Sequence, residues 1–215
     1  LRRWVQSSIP LFASGAAFML NEQISLILIG SLASSEQVGF FEVARKGALL
    51  VSFVLLAVNI TLEPNISKLY NGNVTRNLQN VVNNSIGIAF GFTLLASLFF
   101  LVLGNWYLFL FGKEYLVAWP ILNILIIGQI LNVAFGSTSL LLNMTGYGNL
   151  VAGAAIITLF VNIVCSLFLI SKFGAIGAAV ANVLSLIVYK IQLYRIIKLN
   201  LQIEPTILSI LTKAR

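Results

Sequence analysis

Charged and amide residues stand in the middle of two stretches otherwise apolar enough for a lipid bilayer: Asn21, Glu22 and Gln23 in the first, Glu42, Arg45 and Lys46 in the second. A charged side chain at the bilayer centre costs about 2.5–3.5 kcal/mol even on lenient insertion scales, so such residues face protein or a water-filled cavity and mark a pathway or a site. Arginine grips phosphate through a two-pronged fork and lysine acts as a point charge, so Arg45 and Lys46 suit an anion held inside a membrane. Glu42 precedes Arg45 by three residues and Lys46 by four, the spacing of intrahelical ion pairs. At a rise of about 1.5 Å per residue, Glu22 lies roughly 15 Å below the outer end of its helix and Arg45 roughly 10 Å below the start of the next. A short turn over 33–37 therefore brings them to similar depth. Three readings stay open: a neutralised cluster that only locks two helices, a cationic patch countered by Glu22 and Glu42 that binds an anionic headgroup, or cations that snorkel to the outer surface.

A second, weaker signal is neutral. Asn132, Gly136, Ser139 and Asn143 follow an i, i+4, i+7, i+11 pattern on one expected helical face, and Asn162 and Asn182 stand mid-span further on. Interhelical hydrogen bonding, worth about 0.6 kcal/mol each, accounts for them at least as well as contacts to sugar hydroxyls. The small residues of 153–155 and 174–181 let helix backbones approach closely, which is packing.

The elements that must position these groups are membrane helices. The chain of 215 residues is 59% hydrophobic and 9% charged, against about 25% charged in a soluble domain. Its apolar stretches are too long for barrel strands. Six spans are expected, at about 9–32, 38–63, 85–103, 118–142, 150–170 and 176–197, with Glu63 and Pro64 stopping the second. The stretch Trp106 to Tyr115 reads as an interfacial elbow. Residues 1–199 then form one transmembrane unit, and 200–215 an amphipathic cytoplasmic tail lying on the membrane surface.

The net charge of +7 comes from cations dispersed at segment ends, so nucleic acid is not the expected partner; an anionic membrane surface is. There is one cysteine, Cys165, and no histidine. No metal, cofactor or catalytic arrangement is expected, and neither a GxSxG nor a Walker A sequence occurs. With the N-terminus inside, Arg2, Arg3, Lys68, Arg76, Lys190, Arg195, Lys198, Lys213 and Arg215 fall on the inner side, and only Lys113 and Lys172 outside. Both ends are therefore expected to be cytoplasmic. The opening Leu1-Arg2-Arg3-Trp4 reads as the cytoplasmic flank of a helix, and a preceding N-terminal part is expected.

Five short motifs in order resemble a known family. Gly39, Phe41, Ala44 and Lys46 open one helix; Leu62, Pro64, Ser67, Leu69 and Tyr70 close it. Leu110, Phe111, Gly112 and Tyr115 follow, then Asn143-Met144-Thr145-Gly146-Tyr147-Gly148 and Gly174-Ala175-Ile176-Gly177-Ala178-Ala179. Over nearly its whole length the chain resembles the C-terminal half of an O-antigen-type polysaccharide flippase of the multidrug/oligosaccharidyl-lipid/polysaccharide exporter superfamily. It departs from the pattern at Glu63, where an apolar residue would be expected. The resemblance implies an all-α integral membrane fold in which six transmembrane helices form one lobe of a two-lobed, twelve-to-fourteen-helix transporter. It implies flipping of a polyprenyl-diphosphate-linked oligosaccharide across the bacterial cytoplasmic membrane, by alternating access, for lipopolysaccharide or other surface polysaccharide. The implied partners are the lipid-linked oligosaccharide, a missing N-terminal six-helix lobe, membrane lipids, and the polysaccharide polymerase and chain-length machinery. Arg45, Lys46 and Asn132 would contact substrate, with Glu22 and Glu42 as coupling or counter-charge residues. The competing readings are a multidrug/cation antiporter of the same superfamily and a non-transporting membrane scaffold.

Overall fold

The computed structural model describes residues 15–16, 19–21, 23–71, 75–201 and 204–207. The described residues are helical wherever they are regular: α1 (Met19–Leu32), α2 (Ser35–Val51), α3 (Phe53–Asn71), α4 (Thr75–Phe109), a 3-10 turn (Lys113–Ala118), α5 (Trp119–Ala134), α6 (Thr138–Met144) and α7 (Gly148–Asn200). In a bilayer each backbone polar group must bond within its own segment, which leaves helices for a chain this apolar. Among the described residues, three helices are long and apolar enough to cross a membrane, and a fourth counts if α2 and α3 are taken together as one span.

The helix ends and breaks have local causes. Ser34 caps α2 by accepting the N–H of Gln37 on its hydroxyl, at 3.3 Å. Between α2 and α3 the axis bends by 51° at Ser52, whose N–H and hydroxyl both turn back to the carbonyl of Leu49. The expected stop at Pro64 does not occur: the apolar part ends there, but α3 runs on to Asn71. An interior proline loses its N–H bond and crowds the carbonyl four residues back, and the burial of Leu62 and Ile66 on either side of it carries the helix through. At 35 residues, α4 spans about 52 Å and exceeds the roughly 30 Å of a hydrocarbon core. Its first turns therefore project beyond the apolar layer.

Two breaks divide the remaining helices. α5 ends at Ala134 and α6 starts at Thr138, because Gly136 sits at φ 65° between them. The expected continuous fourth span is therefore discontinuous, and Asn132, Gly136, Ser139 and Asn143 do not share one helical face. α7 is interrupted at Gly174, with φ 58° and ψ −137°, a conformation glycine reaches readily. A straight helix would separate Val151 from Ile197 by about 69 Å. Yet Val151, Ala154, Leu193 and Ile197 belong to one apolar cluster, whereas Ile170, Ala175, Ala178 and Ala179 belong to another. α7 is thus a hairpin with two antiparallel arms, 148–173 and 175–200. Gln37 of α2 pins its tip by accepting the N–H of Ala175 at 2.8 Å.

The two clusters mark the two ends of the bundle. At the Gly174 end, α1, α2, the far half of α4 and α5 meet around Phe41, Leu122 and Ile126. At the Leu201 end, α3, the near half of α4, α6 and both arms of α7 meet around Ile66, Ile86, Leu142 and Leu193. Outside, large apolar side chains such as Phe92, Leu95, Phe99, Val102, Phe160 and Phe168 are more than half exposed. Such a surface suits lipid rather than water, and the chain reads as a multi-pass membrane protein.

Candidate functional site

The mid-helix charges of α2 sit beside a tight three-helix contact. A methyl group added at Gly47 would lie 2.7 Å from the ring of Tyr107 and 3.1 Å from Leu122, so α4 and α5 press directly on this turn of α2. Tyr107 donates its hydroxyl to the carbonyl of Val43 at 3.0 Å. Val43, Ala44, Gly47 and Ala48 are all buried, which leaves the flank of the same two turns for Glu42, Arg45 and Lys46.

On that flank the structure brings the three charges together unequally. Arg45 grips Glu42 with both prongs of its guanidinium, Nε to Oε2 at 2.8 Å and Nη2 to Oε1 at 3.0 Å. This is the two-point geometry that makes such pairs strong. Lys46 stands 3.7 Å from the same carboxylate, a contact too long for a hydrogen bond. The side chain of Arg45 is 16% exposed and that of Lys46 is 65% exposed. One carboxylate thus faces two cations, holding the first tightly and the second loosely. Lys46 lies eleven residues, or about 16 Å, from the start of α2.

The remaining expected site residues fall elsewhere. Glu22 lies outside the described residues. Its neighbour Asn21 accepts the side-chain N–H of Asn162, at 2.9 Å on its amide oxygen, and Ser166 donates to Asn162 at 3.1 Å. Asn162 and Ser166 are fully buried, so this ladder ties α1 to the first arm of α7. Asn132 donates to Gln129 on its own helix at 3.2 Å and stays half-buried. No group of three or more His, Cys, Asp or Glu side chains suited to a metal occurs among the described residues.

A second polar centre escaped the reading of the sequence. Lys190, on the second arm of α7, is 6% exposed and donates to the carbonyl of Gly136 at 3.1 Å. Next to Gly136 in sequence, Ser137 donates to Asn59 of α3. The signal was the Gly136-Ser137-Thr138 run inside an apolar stretch, a breaker pattern that marks a helix interruption. The i, i+4 spacing of the polar residues around it masked that signal.

The MatE family model matches residues 10–168. A Haloferax volcanii protein described as a probable low-salt glycan biosynthesis flippase, Agl15, is 30% identical over 166 residues; the match covers 75% of this chain and 34% of that protein. Two solved structures align with a TM-score of 0.75 at 21% identity, each over 92% of this chain and 44% of the solved chain. One is the outward-facing conformation of a multidrug resistance MATE family transporter of the MOP superfamily. The other is a MOP superfamily transporter from Pyrococcus furiosus, for which a reversed polarity of the binding pocket suggests a different function. The chain thus spans about a third of the curated relative and under half of each solved structure.

Proposed function

The chain belongs to the MatE family of membrane transporters in the MOP superfamily, and we propose that it forms one six-span lobe of a flippase for lipid-linked glycans. The six spans are α1, the bent pair α2–α3, α4, the broken pair α5–α6, and the two arms of α7. The lobe works beside a second lobe, moving a polyprenyl-diphosphate-linked oligosaccharide to the outer leaflet of the cytoplasmic membrane by alternating access. The Gly174 end faces outward, as the distribution of Lys and Arg requires.

The observation that carries this reading is the imbalance around Glu42. Its carboxylate is already held at two points by Arg45, so the exposed ammonium of Lys46 keeps most of its charge for an incoming anion. A diphosphate presents two anionic groups at once, and Lys46 meets it as a point charge while the guanidinium of Arg45 stays oriented by Glu42. The relationship to the glycan flippase Agl15 supports the same substrate class. Asn132 and Gln129 contribute neutral donors and acceptors suited to sugar hydroxyls, and Glu22 acts as a further counter-charge. With Glu22 and Glu42 set against Arg45 and Lys46, the site is neutral at best and offers a cationic drug no net attraction, which disfavours the multidrug reading.

Complementation of a flippase-deficient strain tests the proposal. Lys46→Ala is expected to reduce glycan export at least tenfold with the protein still present in the membrane, and Lys46→Arg to restore most of it. Undiminished export by the double variant Arg45→Ala/Lys46→Ala would overturn the assignment.

A further inference from the structure

Four segments converge on the break between α5 and α6. Gly136, at φ 65°, turns its carbonyl out of the helical ladder, and Lys190 of the second α7 arm donates to it at 3.1 Å. Ser137 donates to Asn59 of α3. A methyl group at Gly136 would meet Ile86 of α4 at 2.5 Å and the carbonyl of Pro205 at 2.9 Å. The strap that brings Pro205 there is itself fastened: Gln79 of α4 donates to the carbonyl of Glu204 and accepts its N–H, each at 2.9 Å. Pro205 and Thr206 are buried beneath it. Thr138, the first residue of α6, is fully buried, and its hydroxyl has no hydrogen-bond partner.

Interrupted membrane helices place backbone carbonyls where transporters bind coupling cations. Here that position is filled from within, by a lysine that makes no ion pair among the described residues. We propose that Lys190 is a proton-binding coupling site: its ammonium acts as a tethered cation at the α5–α6 break, and its proton is the ion whose loss frees α6. The bound proton gives a charge-assisted bond to Gly136, roughly twice as strong as the bond of a neutral amine. When the proton leaves, the amine releases the carbonyl, α6 turns about Gly136 and Ser137, and the Leu201 end opens. The purpose of this step rests on the transport reading; the site itself rests on the contacts above.

Other titratable and charged groups near the break are placed differently. α5 and α6 contain no ionisable side chain. The strap brings Glu204 and α3 brings Glu63, both exposed. α3 also contributes Lys68 and α4 contributes Arg76 in sequence. On its own arm Lys190 is preceded by Tyr189 and followed by Tyr194, Arg195 and Lys198.

Amide hydrogen exchange of residues 137–144, measured on the membrane protein in nanodiscs and corrected for intrinsic rates, tests the site without any substrate. Protection is expected to fall at least tenfold between about pH 6 and about pH 9 as the amine loses its proton. Lys190→Arg, which keeps its charge, should hold protection high at both pH values, and Lys190→Met should give low protection at both. Tyr189→Phe should leave the wild-type profile unchanged. The proposal is overturned if wild-type protection does not change with pH, or if Lys190→Arg loses it as the wild type does. The wild-type and Lys190→Arg measurements decide the matter even if Lys190→Met does not fold. A normal profile in a protein that flips no glycan would sink the substrate assignment and leave the proton site standing.

Discussion

Two lysines among the described residues, Lys46 and Lys190, live under opposite conditions. Lys46 is 65% exposed beside a carboxylate already engaged by Arg45. Lys190 is 6% exposed and answers to a single carbonyl 54 residues away. An exposed, loosely paired cation contributes little to folding and remains free to bind, whereas a buried one is held by its acceptor and supports the fold around it. The comparison teaches that charge within a membrane segment does not by itself identify a substrate contact. Exposure and partner set apart a lysine open to an incoming anion from one held inside the bundle by a carbonyl.

The comparison breaks most sharply at Gly136. Gly136→Val forces a β-branched residue to φ 65° against Ile86 and Pro205. It should destabilise the protein by about 3 kcal/mol or more, through backbone strain and overpacking together. Thermal unfolding in detergent checks this, and an unchanged midpoint would mean that the break is not fixed as described. Lys190→Met comes next. It leaves the Gly136 carbonyl without its donor and should cost about 1–3 kcal/mol. Lys46→Met, by contrast, should stay within about 0.5 kcal/mol of wild type while losing export. Equal losses of stability from the two lysine variants would mean that the two lysines are held alike.

Glu42→Gln sharpens the outer half of the comparison. It removes the clamp on Arg45 and should cost about 1–2 kcal/mol, since both side chains are largely covered. Chemical unfolding measures the loss, and the double variant Glu42→Gln/Arg45→Gln should regain part of it. The smallest effect belongs to Gln37→Ala, which deletes the acceptor of the Ala175 N–H at the α7 tip. It should cost about 1 kcal/mol. Hydrogen exchange at Ala175 should rise while exchange at residues 137–144 stays the same, because the two lie at opposite ends of the bundle.

Much of this molecule could be read before its structure was known. The all-helical membrane character follows from apolar runs too long for strands, and the break near Gly174 from the gap between the expected spans 150–170 and 176–197. The pairing of Glu42 with Arg45 was legible because it is local, three residues apart on one helix. Its inequality with Lys46 was not. Which of two adjacent cations wins a carboxylate depends on how Tyr107 and Leu122 crowd Gly47 and orient that face of α2. Pro64 misled because the rule for proline weighs a local lost N–H bond and ring clash, not the burial of Leu62 and Ile66 that carries α3 past it.

The sequence alone determined that this chain reads as packed membrane helices, and that two cations and a carboxylate stand together within an apolar run on α2. Hydropathy and helical spacing are sums over neighbours along the chain, so they need no tertiary information. Only the tertiary structure decided that the fourth apolar run breaks at Gly136, that Lys190 reaches the carbonyl exposed there, and that Pro205 closes over it. Those contacts join residues far apart in sequence, and packing alone brings them within bonding distance.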